Sequence, residues 1–224
     1  MKVNSISNQK SFLNSFRSNP PLDNKGVIDM ALSELRNIKF DSNDILYVKS
    51  LGANPPFLSG EDAFNFIKDN NIKIAYSKLE PYDTHACFSH GDNTIYINER
   101  YKNLSDFSGI LMISEAIFHE AGHAKDKDRE SSLQEEFDCL SLNVLSHMYY
   151  NKKYDNPFSR ETSTLYLDGV GIYRDLFFRF DLDKAELKQR MKEKYGFLPQ
   201  ESPKHPMSEF VRSIGSEERI RTNL

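Results

Sequence analysis

Helical spacing of apolar residues and strand-like alternation occupy different stretches of this chain. Val27, Ile28, Met30, Ala31, Leu32 and Leu35 recur at the spacing of one helical face, predicting a short amphipathic helix over 27–38. Asn54-Pro55-Pro56 marks 51–60 as loop. Ser59 then precedes a second helical pattern, Ala63, Phe64, Phe66 and Ile67, which ends at Asp69-Asn70-Asn71. From there the period changes. Ile72-Lys73-Ile74-Ala75-Tyr76 alternates apolar and polar positions, Ala86-Cys87-Phe88 does so more loosely, and Thr94-Ile95-Tyr96-Ile97-Asn98 is rich in β-branched and aromatic residues. Gly91-Asp92-Asn93 reads as the turn joining the last two strands into a hairpin. The helical period returns over about 107–124, 132–150 and 182–194; Gly196 and Pro199 break it, and a closing helix is expected from Pro206. This order predicts an α+β fold: a small mixed or antiparallel sheet of about three strands, packed on the 107–124 helix and its successor, with further C-terminal helices.

Residues 1–24 break both patterns. They are polar and end in Asn19-Pro20-Pro21, so they are expected to form a flexible arm, leaving 25–224 as a single domain. The 224-residue length suits that division, and 38% hydrophobic with 28% charged residues is globular composition. A formal net charge of -4, with the two signs mixed along the chain, argues against a nucleic-acid partner. No stretch approaches the roughly 18 apolar residues of a membrane span. Residues 1–20 carry no continuous apolar segment of the secretory kind, so the expected location is cytoplasmic, or exported without a classical signal. Asn4, Ser5, Ser7, Asn8, Ser11, Asn14, Ser15, Ser18 and Asn19 would also suit the export signal of an injected effector. Cys87 and Cys139 do not make a disulfide framework and are read as reduced.

The chemistry concentrates in His119-Glu120-Ala121-Gly122-His123, which continues the apolar run Leu111-Met112-Ile113-Ser114-Glu115-Ala116-Ile117-Phe118. On a helix, residues i and i+4 share a face, so His119 and His123 can aim two imidazole nitrogens at one zinc ion, about 2.0–2.1 Å away. Glu120 then stands beside the zinc-bound water and can take its proton. Gly122 leaves room for close approach by another segment. On so apolar a helix, unpartnered histidines and a carboxylate would be costly.

Asn93-Thr94-Ile95-Tyr96-Ile97-Asn98, a loop and then the His-Glu helix resemble the gluzincin zinc peptidases, in the variant that includes the CAAX prenyl proteases and their bacterial heat-shock relatives. The resemblance covers about 93–145 and touches the tail. It implies that 94–98 is an edge strand holding extended substrate by main-chain pairing. It also implies a third ligand on the next helix, in a pattern of glutamate, aspartate four residues later, then a small residue. The best register sets Gln134, Asp138 and Ser141 at those places. On a helical wheel Leu133, Phe137, Val144, Leu145 and Met148 surround that face, whereas Glu136, Cys139, Asn143, Ser146 and His147 fall on the other side. Gln is a poor zinc ligand, so Asp138 is the expected third ligand, with Glu135 as the alternative; Glu136 and Gln134 remain open.

In the tail, Ser202-Pro203-Lys204-His205-Pro206 with downstream Arg212 resembles the same family's C-terminal His-Pro segment. That match implies that His205 stabilises the oxyanion as a catalytic residue and that Arg212 pairs with Asp138, which would compete with a ligand role for Asp138. Tyr166 and Tyr173 are oxyanion-donor candidates read as core by default; His85 and His90 could lie near the metal but are read as strand-end surface histidines, His147 as a solvent-side histidine, and 126–130 as a solvated connection. The expected function is zinc-dependent endopeptidase, acting on a protein or peptide substrate with Glu120 as general base. The alternatives are a non-catalytic zinc-containing binding or regulatory protein, favoured by Gln134, and an effector protease acting on a host protein.

Overall fold

The computed structural model describes residues 24–80, 84–103, 106–126 and 131–155, together with 157, 189, 191–193, 195–196, 198–202 and 205–213. The expected arm as far as residue 23, the segment with Tyr166 and Tyr173, and most of the helix expected over 182–194 lie outside them.

In helix α1 (Asn24–Arg36), Val27, Ala31 and Leu35 stand four residues apart on one face and are fully buried. Helix α2 (Ser42–Ser50) was not anticipated: Val48 is its one buried residue, which leaves little apolar period to read. It begins where the Asp41 carboxylate accepts from the Asn43 N–H at 2.9 Å. Helix α3 (Gly60–Asp69) is capped by Ser59 Oγ, which accepts from the Asp62 N–H at 3.1 Å, and Glu61 and Asp62 lie favourably at the positive end of its dipole.

Strands β1 (Lys73–Ser77), β2 (Ala86–Ser89) and β3 (Thr94–Asn98) form a mixed sheet in the order β1-β3-β2, with β1 parallel and β2 antiparallel to β3. The hairpin turns at Asn93, which takes a φ of 55° and donates from Nδ2 to the carbonyls of Asn70 (2.9 Å) and Asn71 (3.2 Å). One expectation is corrected here: residues 94–98 are the middle strand, not the edge. Thr94, Ile95, Ile97 and Asn98 are all buried, so the β-branched character of this segment reflects burial on both faces. The edge nearest the histidine helix is β2. After a 3₁₀ turn at Glu99–Tyr101, helix α4 (Phe107–Lys125) starts at Asp106, whose side chain accepts from the Gly109 N–H at 3.0 Å.

Helix α4 is covered by α1, α3, α5 and the β2–β3 hairpin, and is buried nearly all round. Helix α5 (Leu133–Tyr154), capped by Ser132, lies between two apolar cores. Its Leu142 and Tyr150 belong to the core around α1, α4 and β3. Its Leu133, Phe137, Leu140, Val144 and Leu145 belong to a second core with Val48, Ala53, Met191, Phe210 and Val211, where Phe137 stacks on Phe210 at 4.6 Å. The architecture is therefore mixed α+β with a small three-stranded sheet, and among the described residues no helix is long and apolar enough to cross a membrane.

Gly60 sets how closely α3 meets the end of α1, because a Cβ there would lie 1.7 Å from the Leu35 carbonyl oxygen. Gly60→Ala should lower the unfolding free energy by about 1–3 kcal/mol in urea titration, the range of an overpacked core. Gly91→Ala, where the nearest atom to a new Cβ is 3.9 Å away, should leave it nearly unchanged.

Candidate metal centre

Helix α4 puts His119 and His123 one turn apart with their Nε2 atoms 3.1 Å from each other. Across the seam, α5 contributes Glu136: its Oε2 lies 3.7 Å from His119 Nε2 and its Oε1 3.5 Å from His123 Nε2. The three ligand atoms lie within 4.8 Å of one another. Donors arranged tetrahedrally at 2.0–2.1 Å from a centre would stand about 3.3–3.4 Å apart, close to these separations. His119, His123 and Glu136 therefore form a group that could hold a metal ion.

The outer nitrogens of both rings support that use. His123 Nδ1 donates to Glu135 Oε1 at 2.7 Å, and His119 Nδ1 donates to Asn143 Oδ1 at 2.6 Å. The Asn143 amide is itself oriented, since its Nδ2 donates to the Glu115 main-chain oxygen at 3.3 Å. With Nδ1 protonated on both rings, the facing Nε2 atoms, 3.1 Å apart, can share either a proton or a metal cation. The surrounding charges point the same way. Burial alone would lower the His123 pKa, but Cys139, Glu136 and Glu135 more than offset it, so that the ring is held well above the usual histidine range. The Cys139 thiol is pushed up to about 12 by burial and is neutral at pH 7, leaving the two glutamates as the groups that favour positive charge there.

The expected third ligands are corrected. Glu135 touches His123 on Nδ1, the side of the ring away from the shared centre. Asp138 is turned to the other face of α5, where Oδ1 accepts from the Asn54 N–H (2.7 Å) and Gln134 Nε2 (2.8 Å) and Oδ2 from His205 Nδ1 (2.9 Å). Gln134 also donates to the Gly52 carbonyl and accepts from the Ser208 N–H, so it fastens loop and tail to α5. The wheel failed for a physical reason: the most apolar face of α5 packs on the second core, and the face bearing Glu136, Cys139, Asn143 and His147 meets α4. That stripe of polar side chains recurring every third or fourth residue was the available signal for Glu136 and Asn143.

His205 is also corrected. Its Nδ1 meets Asp138, its Nε2 lies 2.9 Å from Asp126 Oδ2, and neither nitrogen is left to face a substrate. Arg212, expected beside Asp138, is exposed on the last helical turn. Asp126 is buried rather than part of a solvated connection, and 127–130 lie outside the described residues. His147 is buried, with Nδ1 3.3 Å from Glu115 Oε1.

A cleft of about 550 Å³ opens on this centre. Glu120 lines it beside His119 and His123; Met112, Ile113, Ala116 and Leu140 form apolar wall, and the β2 edge contributes Ala86, Cys87 and Phe88. His85 and His90 line it too; His90 is exposed, as expected, whereas His85 is half-buried. His85 Nδ1 and Arg100 Nη2 both bond to the Tyr101 hydroxyl. Burial pushes the Cys87 thiol up, and the charges of Glu120 and Asp92 add to that, so Glu120 and Cys87 act on each other across the cleft. No protein family, curated protein or solved structure matches the chain in comparison.

The hydrogen bond to Asp138 is the main cause raising the His205 pKa above its usual value; the charges of Asp138, Asp126 and Glu135 add to it and burial opposes it. A folded-state pKa above the unfolded one stabilises below the unfolded value and is lost as pH rises through the folded value. The stability difference between parent and His205→Asn, from urea unfolding of metal-free protein, should therefore be largest near pH 6 and shrink on the alkaline side.

Proposed function

We propose that this chain is a zinc-dependent peptidase of zincin-like architecture, using a site of the gluzincin kind. The observation that carries the reading is the convergence of His119 Nε2, His123 Nε2 and the Glu136 carboxylate beside Glu120, in a cleft whose far wall is an edge strand. The donor set of two imidazoles and one carboxylate suits zinc and is the set of catalytic rather than closed structural sites. Zinc held there would polarise a water and the scissile carbonyl.

The chain's own groups do the rest. Glu135 and Asn143 fix both imidazoles with Nε2 free to bind. Glu120, only 8% exposed yet lining the cleft, accepts the proton of the attacking water and passes it to the departing amine. An extended peptide lies along β2, pairing with the main-chain edge that Ala86–Ser89 present among the described residues, the role the sequence resemblance had given to β3. The apolar wall of Met112, Ile113 and Ala116 excludes water from one side of that path.

The rival reading, a binding protein with a decayed zinc site, rested on Gln134 at a ligand position. Gln134 is instead held by Gly52, Asp138 and Ser208, while a carboxylate stands two residues away at the centre. That removes the feature that favoured it.

Zinc content and cleavage of a peptide library test the proposal together. The parent should carry about one zinc per chain. Glu136→Gln should lose it, whereas Asp138→Asn should keep it. Glu120→Gln should keep zinc and lose about 10²–10⁴ in kcat/KM. A parent that takes up no zinc after reconstitution, or a Glu120→Gln variant as active as the parent, would overturn the assignment.

A further inference from the structure

Beyond the metal centre, the α4–α5 seam continues as a ladder of polar pairs. On α4 the rungs are Glu115, His119 and His123, spaced by four residues; on α5 they are Glu135, Cys139, Asn143 and His147, also spaced by four. The helices run antiparallel, so His123 meets Glu135, His119 meets Asn143, and Glu115 meets His147. Ser114 and Tyr150 close the ladder with a 2.7 Å hydrogen bond. The Glu115–His147 rung takes no part in the chemistry proposed above. It is also the most enclosed of the three ionisable rungs, with side chains 0% and 3% exposed.

An enclosed carboxylate and imidazole are an expensive way to join two helices. Apolar residues of similar volume usually stabilise such a position equally well or better, so the pair's presence points to geometry rather than stability. Geometry is what the next rung needs. Asn143 stands one turn from His147 on α5, and it bridges the His119 ring to the main-chain oxygen of Glu115. A slip of α5 along α4 by one residue, about 1.5 Å, would separate Asn143 from both partners. Apolar side chains alone oppose such a slip weakly. A carboxylate and imidazole 3.3 Å apart one turn further along add an electrostatic restraint against it.

We propose that Glu115 and His147 are a positioning pair for the metal centre: by fixing the register of α4 against α5, they hold Asn143 where it keeps the proton of His119 on Nδ1. The inference rests on the metal-site reading above for its consequence, but its local claim concerns His119 alone.

The test uses the full chain carrying Glu115→Leu with His147→Leu, and separately Glu115→Gln, against the parent. In metal-free protein at neutral pH, ring nitrogen chemical shifts report which nitrogen of His119 carries the proton. The parent should show it on Nδ1, and both variants should show a mixture. Zinc affinity by chelator competition should fall about tenfold or more in the double variant, and the visible spectrum of its cobalt-substituted form should change. The double variant's metal-free melting temperature should stay near the parent's, which separates positioning from loss of fold. A purely structural pair would leave His119 shifts, zinc affinity and cobalt spectrum as in the parent whatever the melting temperatures, and that would overturn the inference. A parent with His119 protonated on Nδ1, perturbed in both variants, but with no zinc uptake, would sink the metal reading while supporting the positioning claim.

Discussion

At Gly122 the absence of a Cβ lets α5 lie against the backbone of α4: a methyl there would stand 2.7 Å from Cys139 Sγ and 3.3 Å from Leu142 Cδ1. Glu136 lies one turn before Cys139 on α5, and His119 and His123 flank Gly122 on α4. The close approach at this one residue therefore brings the carboxylate to within 3.7 Å of both Nε2 atoms. The same approach encloses Cys139, whose thiol is pushed up to about 12 by burial and so is a packing group, not a nucleophile. Asn143 and His147 follow at one-turn steps, so the spacing set at Gly122 carries along the seam as polar rungs, hydrogen-bonded at His119–Asn143 and at ion-pair distance at Glu115–His147.

This explains which parts of the site could be read from residues alone. His119, Glu120 and His123 follow from a single helix, whose periodicity fixes their relation without any tertiary knowledge. Glu136 depends on which face of α5 meets α4. A wheel answers that only for a helix with one wet side. Helix α5 has none along its middle, because Phe137, Leu140 and Val144 pack on Phe210, Val211 and Met191 while its polar stripe packs on α4. The apolar face was the buried one, as periodicity suggested, but it was buried away from the metal.

The strands show the same limit. Period and turn residues identified β1, β2, β3 and the β2–β3 hairpin. Strand order was not local information: β1 inserts beside β3 in parallel, and that converts the most strand-like segment into the sheet's interior. The edge passes to Ala86–Ser89, the segment with the weakest alternation, since it faces a cleft on one side. Helix α2 escaped notice for a related reason, having one buried side chain and an Asx cap as its only marks.

Charge balance ties the tail to the centre. Glu120, Glu135, Glu136, Asp126 and Asp138 are concentrated where α4 ends and α5 begins, and none is substantially exposed. Carboxylates so enclosed repel one another unless positive charge is placed among them. His205 meets that need on one face of α5, set 2.9 Å from both Asp126 and Asp138. Its main-chain bridge to Ser202 and the Gln134–Ser208 bond then hold Ser202, His205 and Ser208 over the helix junction. On the other face, Glu135 lies 2.7 Å from His123 Nδ1, and Glu136 stands between His119 and His123. With Nδ1–H directed outward on both imidazoles, the two Nε2 atoms and Glu136 converge on that face as a group that could hold a cation to balance these carboxylates.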